Sequence, residues 1–172
     1  MSQDEKAQRA STSRTSIEAI LEQWRRERPD INPCPMAVCG ELKRAAERIR
    51  LGIVANLSGT QLDLAGFDVL LTLRRQGKGC SLSPSELARE MMLSSSAMTS
   101  CLDRLEKNTL IKRKSDPKDR RGLKILLTSK GFALADQLVV THIEAENQML
   151  KDLTKREIEQ LRNLLHKLSS PS

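Results

Sequence analysis

Seven basic side chains and two aspartates fall within residues 112–124, KRKSDPKDRRGLK. Cations set so close together repel one another in water, so the cluster points to an anionic polymer or surface that neutralises them. The chain of 172 residues carries a formal net charge of +7, and this one stretch, at seven minus two, holds +5 of it. Other chemistries find little to work with. There are two histidines and no tyrosine, and no glycine-rich turn is followed by Lys and Ser/Thr at the spacing that cradles phosphates. His142 and Glu146 are spaced for one face of a helix, yet they read as a solvated or interface pair rather than as metal ligands. Cys34, Cys39, Cys80 and Cys101 are irregularly spaced without a CxxC, so reduced thiols are expected rather than a zinc site or a disulfide framework. No catalytic residue, metal or cofactor is expected, and the chain does not read as an enzyme. With no apolar run of about 18 residues and a polar N-terminus, it reads as cytoplasmic, with no membrane partner.

The elements that must position the basic cluster are mostly helical. Residues 1–14 are polar and lack a periodic stripe, so a disordered tail is expected there. Residues 15–58 read as a short N-terminal helix and a longer helix whose stripe suits packing against another long helix. Thr15 to Glu18 opens the first with a capping box, and Ile17, Ile20, Leu21 and Trp24 share one face until Pro29. Residues 29–35 are expected to be a loop, and Val38, Leu42, Ala45, Ile49 and Ile53 then form the stripe of a longer helix.

Residues 59–128 change character. Phe67, Leu70 and Leu71 mark a short helix, Ser83 to Glu86 supplies a second capping box, and a helix over 84–91 follows. Leu93 and Ser94 to Ser96 make a tight turn and a new N-cap, after which Met98, Cys101, Leu102 and Leu105 line the next helix. Two short helices with so brief a connection read as a helix-turn-helix. Residues 111–114 and 123–128 are strand-like, with Asp116, Pro117 and Gly122 as turn signals, so the basic cluster becomes a β-hairpin directly behind the second helix. Residues 129–168 return to helix. A long stripe includes Phe132, Ala135, Leu138 and Ile143, and a capping box at Thr154 to Glu157 opens a last helix with Leu161, Leu164, Leu165 and Leu168. The expected fold is mainly α with a small β-hairpin, a winged helix-turn-helix flanked by long N- and C-terminal dimerisation helices.

In a helix-turn-helix the second helix enters the DNA major groove by its N-terminal end, where short polar side chains and free N–H groups meet base edges and phosphates. Ser94, Ser95, Ser96, Thr99 and Ser100 occupy that end, with Arg104 further along. The hairpin then lies along the backbone and places an arginine in the neighbouring minor groove, where A·T-rich DNA is most negative. Arg120 and Arg121 are the candidates, Lys114 and Lys118 add charge, and Asp119 holds an adjacent arginine in a forked pair.

These residues carry a family resemblance. The run LSPSELAREMMLSSSAMTSCLDRLEKNTLIKRKSDPKDRRGLKILLTSKG resembles the winged helix of the MarR family of bacterial transcription regulators, with DPKDRRG and LLTSKG its most specific parts. LEQWRRERPD and AGFDVLLTLRRQG are similar to the PecS-like, urate-responsive branch. The resemblance implies a homodimer with intertwined terminal helices, a palindromic double-stranded DNA operator, and repression relieved by a small aromatic or anionic effector or by oxidation. It also implies an effector site at Trp24, Asp68, position 101 and Arg113, where the branch has an arginine at the third position and this chain has Cys101. A thiol cannot fork an anionic planar ligand as a guanidinium does. That weighs against urate and leaves a related aromatic acid, stacked on Trp24 and paired with Arg113.

Simpler roles stand beside these. Trp24 and Cys101 lie on apolar stripes and could be packing residues, Asp68 could favour a helix dipole, and Arg113 could contact phosphate. An alternative of the same fold makes Cys101 a thiol-oxidation sensor. A metal-dependent enzyme would need a convergent acidic or His cluster, and an interaction module without DNA leaves the basic hairpin unexplained.

Overall fold

The computed structural model describes residues 15–91, 95–117 and 119–170, without the side chains of Ser95, Ser96, Arg120 and Arg121. The expected tail over 1–14 and the expected DNA contacts Ser94 and Lys118 lie outside the described residues. The elements run α1 (Ile17–Glu27), α2 (Cys34–Asn56), α3 (Leu64–Arg75), α4 (Pro84–Met91), α5 (Ser95–Lys107), β1 (Ile111–Asp116), β2 (Asp119–Leu127), α6 (Ser129–Leu150) and α7 (Lys155–Ser169). The chain divides into two compact units, one ending at Ile49 and one beginning at Arg50, with α2 running across the division.

In the first unit α1 buries Ile17 and Leu21. Its cap is Ser16, whose hydroxyl accepts from the Ala19 amide at 3.1 Å. The capping box expected from Thr15 to Glu18 is therefore not formed: the cap moves one residue on, where Ala19 has no side chain to return the bond, and the Thr15 carbonyl accepts from the Arg44 guanidinium. Helix α2 begins inside the expected loop. The Asn32 side chain accepts from the Cys34 amide at 3.0 Å, and Pro35 falls in the first turn, where a missing N–H costs no intrahelical bond.

The second unit is built on a buried cluster that includes Val69, Leu70 and Leu73 of α3, Leu87 of α4, Met98, Cys101, Leu102 and Leu105 of α5, Ile111 and Ile125 of the hairpin, and Ala135 of α6. Of these, the helical period marks Leu70, Met98, Cys101, Leu102, Leu105 and Ala135, while Val69, Leu73 and Leu87 join them in the structure. Leu57, Phe67 and Leu138 form a second cluster. Both strands extend further toward the turn than expected, because antiparallel pairing runs from Ile111 opposite Leu127 to Asp116 opposite Asp119. Leu82 adds a rung that the sequence did not announce, exchanging backbone hydrogen bonds with Ile125 at 3.1 and 2.7 Å. Among the described residues no helix is long and apolar enough to cross a membrane.

The wing, the end of α5 and the start of α6 meet at one peptide. The Leu110 amide donates to the Leu105 carbonyl at 2.9 Å, and the Leu110 carbonyl accepts from the Thr128 amide at 3.0 Å. The Thr128 hydroxyl donates to the carbonyls of Thr109 and Leu110 and accepts from the Gly131 amide. Gly131 lies so close that a Cβ there would sit 1.9 Å from the Leu110 oxygen. Gly131→Ala should therefore force α6 away from the wing and destabilise the fold by about 3 kcal/mol, the upper end for an overpacked site, read as a lower midpoint in urea unfolding. An unchanged midpoint would mean that the junction can yield without loss.

Candidate nucleic-acid interface

Helices α4 and α5 with the β1–β2 hairpin form the expected winged helix-turn-helix. Helix α5 turns Met98, Cys101, Leu102 and Leu105 into the core and leaves Thr99 and Ser100 exposed. On β1 the alternation of a strand buries Ile111, half-buries Arg113 and leaves Lys112 and Lys114 exposed. The backbone of Ser95, Ser96, Arg120 and Arg121 belongs to α5 and β2, and Asp119 is exposed at the tip.

Among the described residues, two cations of the cluster are paired within the protein. Arg113 donates to Asp103 and to Glu106, both at 2.6 Å, while its own amide donates to Glu106 at 3.1 Å. Burial tends to lower its pKa, but the two carboxylates outweigh this and hold the guanidinium above its ordinary value. The base of the wing is thus fastened to the recognition helix. Lys124 lies 3.1 Å from Glu86 and 3.6 Å from Asp116. Glu86 also completes the capping box of α4, accepting from the Ser83 amide at 2.6 Å while its own amide donates to the Ser83 hydroxyl at 3.2 Å. One carboxylate therefore caps the first helix and holds the wing strand.

Gly122 does not turn the chain but sits within β2, beside the register shift at Ser115 and Asp116. A Cβ there would come within 2.9 Å of the Asp116 Cβ and 3.1 Å of the Asp119 Cβ, so the close approach at the wing tip requires glycine.

Arg104, expected at DNA, is paired within the protein here. It donates to Asp63, whose other oxygen caps α3 by accepting from the Gly66 amide at 2.9 Å. Of the four expected effector residues, Trp24 belongs to the first unit and is 39% exposed. Asp68 and Cys101 lie within electrostatic reach of each other, together with Asp63 and Arg104. Arg113 is not among them, because Asp103 and Glu106 lie on nearly the opposite side of α5 from Cys101 and Arg104 at 100° per residue. Desolvation raises the Asp68 carboxyl, with the charge of His142 partly opposing. Desolvation and then Asp63 raise the Cys101 thiol, which is only 1% exposed. His142 pairs with Glu146 at 3.2 Å and meets Phe67 edge-on. Among the described residues no His, Cys, Asp and Glu group could hold a metal.

The carboxylates Asp63, Glu86, Asp103 and Glu106 were missed as site residues. Only the capping box at Glu86 and the i, i+3 spacing of Asp103 and Glu106 offered a signal.

Helix pair, wing and paired carboxylates together make a DNA-binding module rather than a catalytic centre. The MarR family profile matches residues 62–123. The regulator PecS of Dickeya dadantii (strain 3937) is 39% identical over 149 residues, covering 87% of this chain and 90% of PecS. A mutant of Escherichia coli MarR complexed with operator DNA matches with TM-score 0.72 at 25% identity, covering 82% of this chain and 99% of that one. Bordetella bronchiseptica BpsR, described with regulation of its DNA binding by 6-hydroxynicotinic acid, matches with TM-score 0.70 at 26% identity, covering 78% and 94%. The chain belongs to the MarR family. It is a DNA-binding transcription regulator and not an enzyme.

The Glu86 junction has a pH signature. Hydrogen bonds from the Ser83 backbone and side chain, and then from Lys124, lower its carboxyl from 4.5 to about 2. A group depressed on folding contributes stability above its unfolded pKa and loses that contribution as pH falls through the folded one. Wild type should therefore lose more stability than Glu86→Gln between pH 4.5 and about 2 in acid unfolding. Equal acid sensitivity would overturn this account of the junction.

Proposed function

We propose that the protein is a cytoplasmic homodimer that binds a palindromic operator and represses transcription until a small molecule releases it. The observation that carries the reading is the sorting of charge on the winged helix: Arg113 and Lys124 are paired inward with carboxylates, while Lys112 and Lys114 on β1 and Thr99 and Ser100 on α5 are exposed. Ser94, Ser95, Ser96, Thr99 and Ser100 meet the major groove, and Arg120 and Arg121 reach the minor groove, with Lys114, Lys118 and Asp119 around them. Support for two copies comes from α7, which buries no residue and leaves Leu164 and Leu168 63% and 67% exposed. Two-fold pairing would set the recognition helices about 10 base pairs apart.

Release by a small molecule is supported by BpsR, whose DNA binding is regulated by 6-hydroxynicotinic acid. Within the second unit the proposal gives Asp68 the part of a hydrogen-bond acceptor for that molecule. The thiol-sensing alternative has less support, since a buried thiol with a raised pKa supplies little of the thiolate that oxidation needs.

In gel shifts with fragments of the adjoining promoter, Arg121→Ala should weaken binding by roughly 1 to 3 kcal/mol and relax preference at outer A·T positions. Wild-type affinity should fall on the order of 10³- to 10⁵-fold between about 50 and 200 mM salt. Salt-independent binding, or an unaffected Arg121→Ala, contradicts the assignment. Charged residues at Leu161 and Leu165 together should dissociate the dimer in light scattering and abolish DNA binding, whereas a 19.3 kDa wild-type particle at micromolar protein would remove the dimer.

A further inference from the structure

A cleft of ≈ 700 Å³ opens beside Asp68, lined by α3, α4 and α6. Its apolar surface comes from Leu71, Met91 and Val139. That volume is in the range of small-molecule sites, which combine an apolar lining with a few polar groups. The charges of the lining are two arginines and three carboxylates, namely Arg74, Arg75, Asp68, Glu90 and Asp136.

Both arginines are already matched. Arg74 donates to Asp136 at 2.5 Å, and its guanidinium carbon lies over the Phe132 ring, 4.3 Å from its centroid. Arg75 donates to Glu90 at 2.5 Å. Beyond the cleft, Arg104 is paired with Asp63, and Arg113 with Asp103 and Glu106. An incoming carboxylate would have to break one of these pairs to obtain a guanidinium. Asp68 is the one charge of the lining that no described arginine or lysine pairs.

We infer that the cleft takes a cationic amphiphile, an ammonium or amidinium group on an aromatic or aliphatic body, with the cation on Asp68 and the body against Leu71, Met91 and Val139. The ligand expected from the family resemblance, an aromatic acid, is the wrong sign for this cleft. Burial disfavours the ionised Asp68 carboxyl and the charge of His142 opposes this only in part, so a cation set against it offsets a cost that a neutral or anionic ligand leaves in place. Asp68 and Val139 face the cleft from α3 and α6, and Met91 ends the first helix of the helix-turn-helix, so a bound body touches the element that leads into the recognition helix.

The inference rests on the effector reading only where DNA release is measured; binding is tested without it. Three probes of similar shape separate the charges: 2-(1-naphthyl)ethylammonium, 2-(1-naphthyl)ethanol and 3-(1-naphthyl)propionate, titrated into the full-length protein by calorimetry at neutral pH. The ammonium should bind at least tenfold more tightly than the other two. Asp68→Asn should erase that preference, and Val139→Phe, which keeps Asp68 but fills the cleft, should weaken the ammonium at least tenfold. An acid bound as tightly as the ammonium, or ammonium binding unchanged in Asp68→Asn with both variants folded by circular dichroism, overturns the proposal. Operator release is then read in gel shifts. Ammonium binding that depends on Asp68 but leaves the operator occupied upholds the cleft and removes its effector role. Release by the propionate without ammonium binding overturns the cleft and leaves the effector reading standing.

Discussion

The Leu110 peptide is the point on which the winged helix turns. Its amide closes the end of α5, its side chain enters the main core, and its carbonyl receives the Thr128 amide and hydroxyl at the start of α6. Thr109, with φ of 59°, makes the sharp exit from α5 that brings this peptide under the wing. Three elements thus share one peptide, and a buried backbone acceptor without partners would cost about 1–3 kcal/mol. The run LLTSKG reads locally as a strand end and a helix cap. In the fold it is also the socket for that oxygen: threonine supplies the hydroxyl, and glycine leaves the space.

Above this junction, carboxylates decide what the cations do. Glu86, Asp103 and Glu106 take Lys124 and Arg113 out of the outward-facing charge and use them to fasten the wing to both helices of the helix-turn-helix. Exposed ion pairs contribute little individually. These share partners, are partly shielded, and join strand to helix rather than neighbours on one helix, so their role is orientation more than stability. Asp63 works the same way on the other flank of α5, capping α3 with one oxygen and holding Arg104 with the other.

What was legible in the sequence follows from the range of the interactions. Apolar periods of 3.6 and 2, and capping boxes at Ser83 and Thr154, are local, and they placed α4, the hairpin, α6 and α7 close to where they stand. Errors of one or two residues arose at the starts of α1 and α2, where adjacent polar residues offer alternative caps and the structure uses Ser16 and Asn32. The long-range pairs were not legible. Arg104 and Asp63 are 41 residues apart and Lys124 and Glu86 are 38 apart, and nothing in either segment names its partner. The basic stretch therefore read as uniform, although two of its members are committed inside the protein. Gly122 likewise looked like a turn residue because glycine marks both turns and close approaches, and only the strand register tells them apart.

The rung between Leu82 and Ile125 has a mechanical consequence. Leu82 lies two residues before α4, and its paired backbone bonds make the segment entering that helix a third edge of the wing. With Arg113 on α5 and Lys124 on the Glu86 cap, the hairpin is tied at three places along its strands, so the strands and the helix-turn-helix are held in one orientation. Such a body has met the entropy of orientation during folding rather than at encounter with its partner. It also behaves as a caliper of fixed span: the distance between what the recognition helix touches and what the hairpin touches is set by the protein. DNA whose grooves differ in width or spacing must deform to fit, so the shape of the double helix can be selected along with its bases.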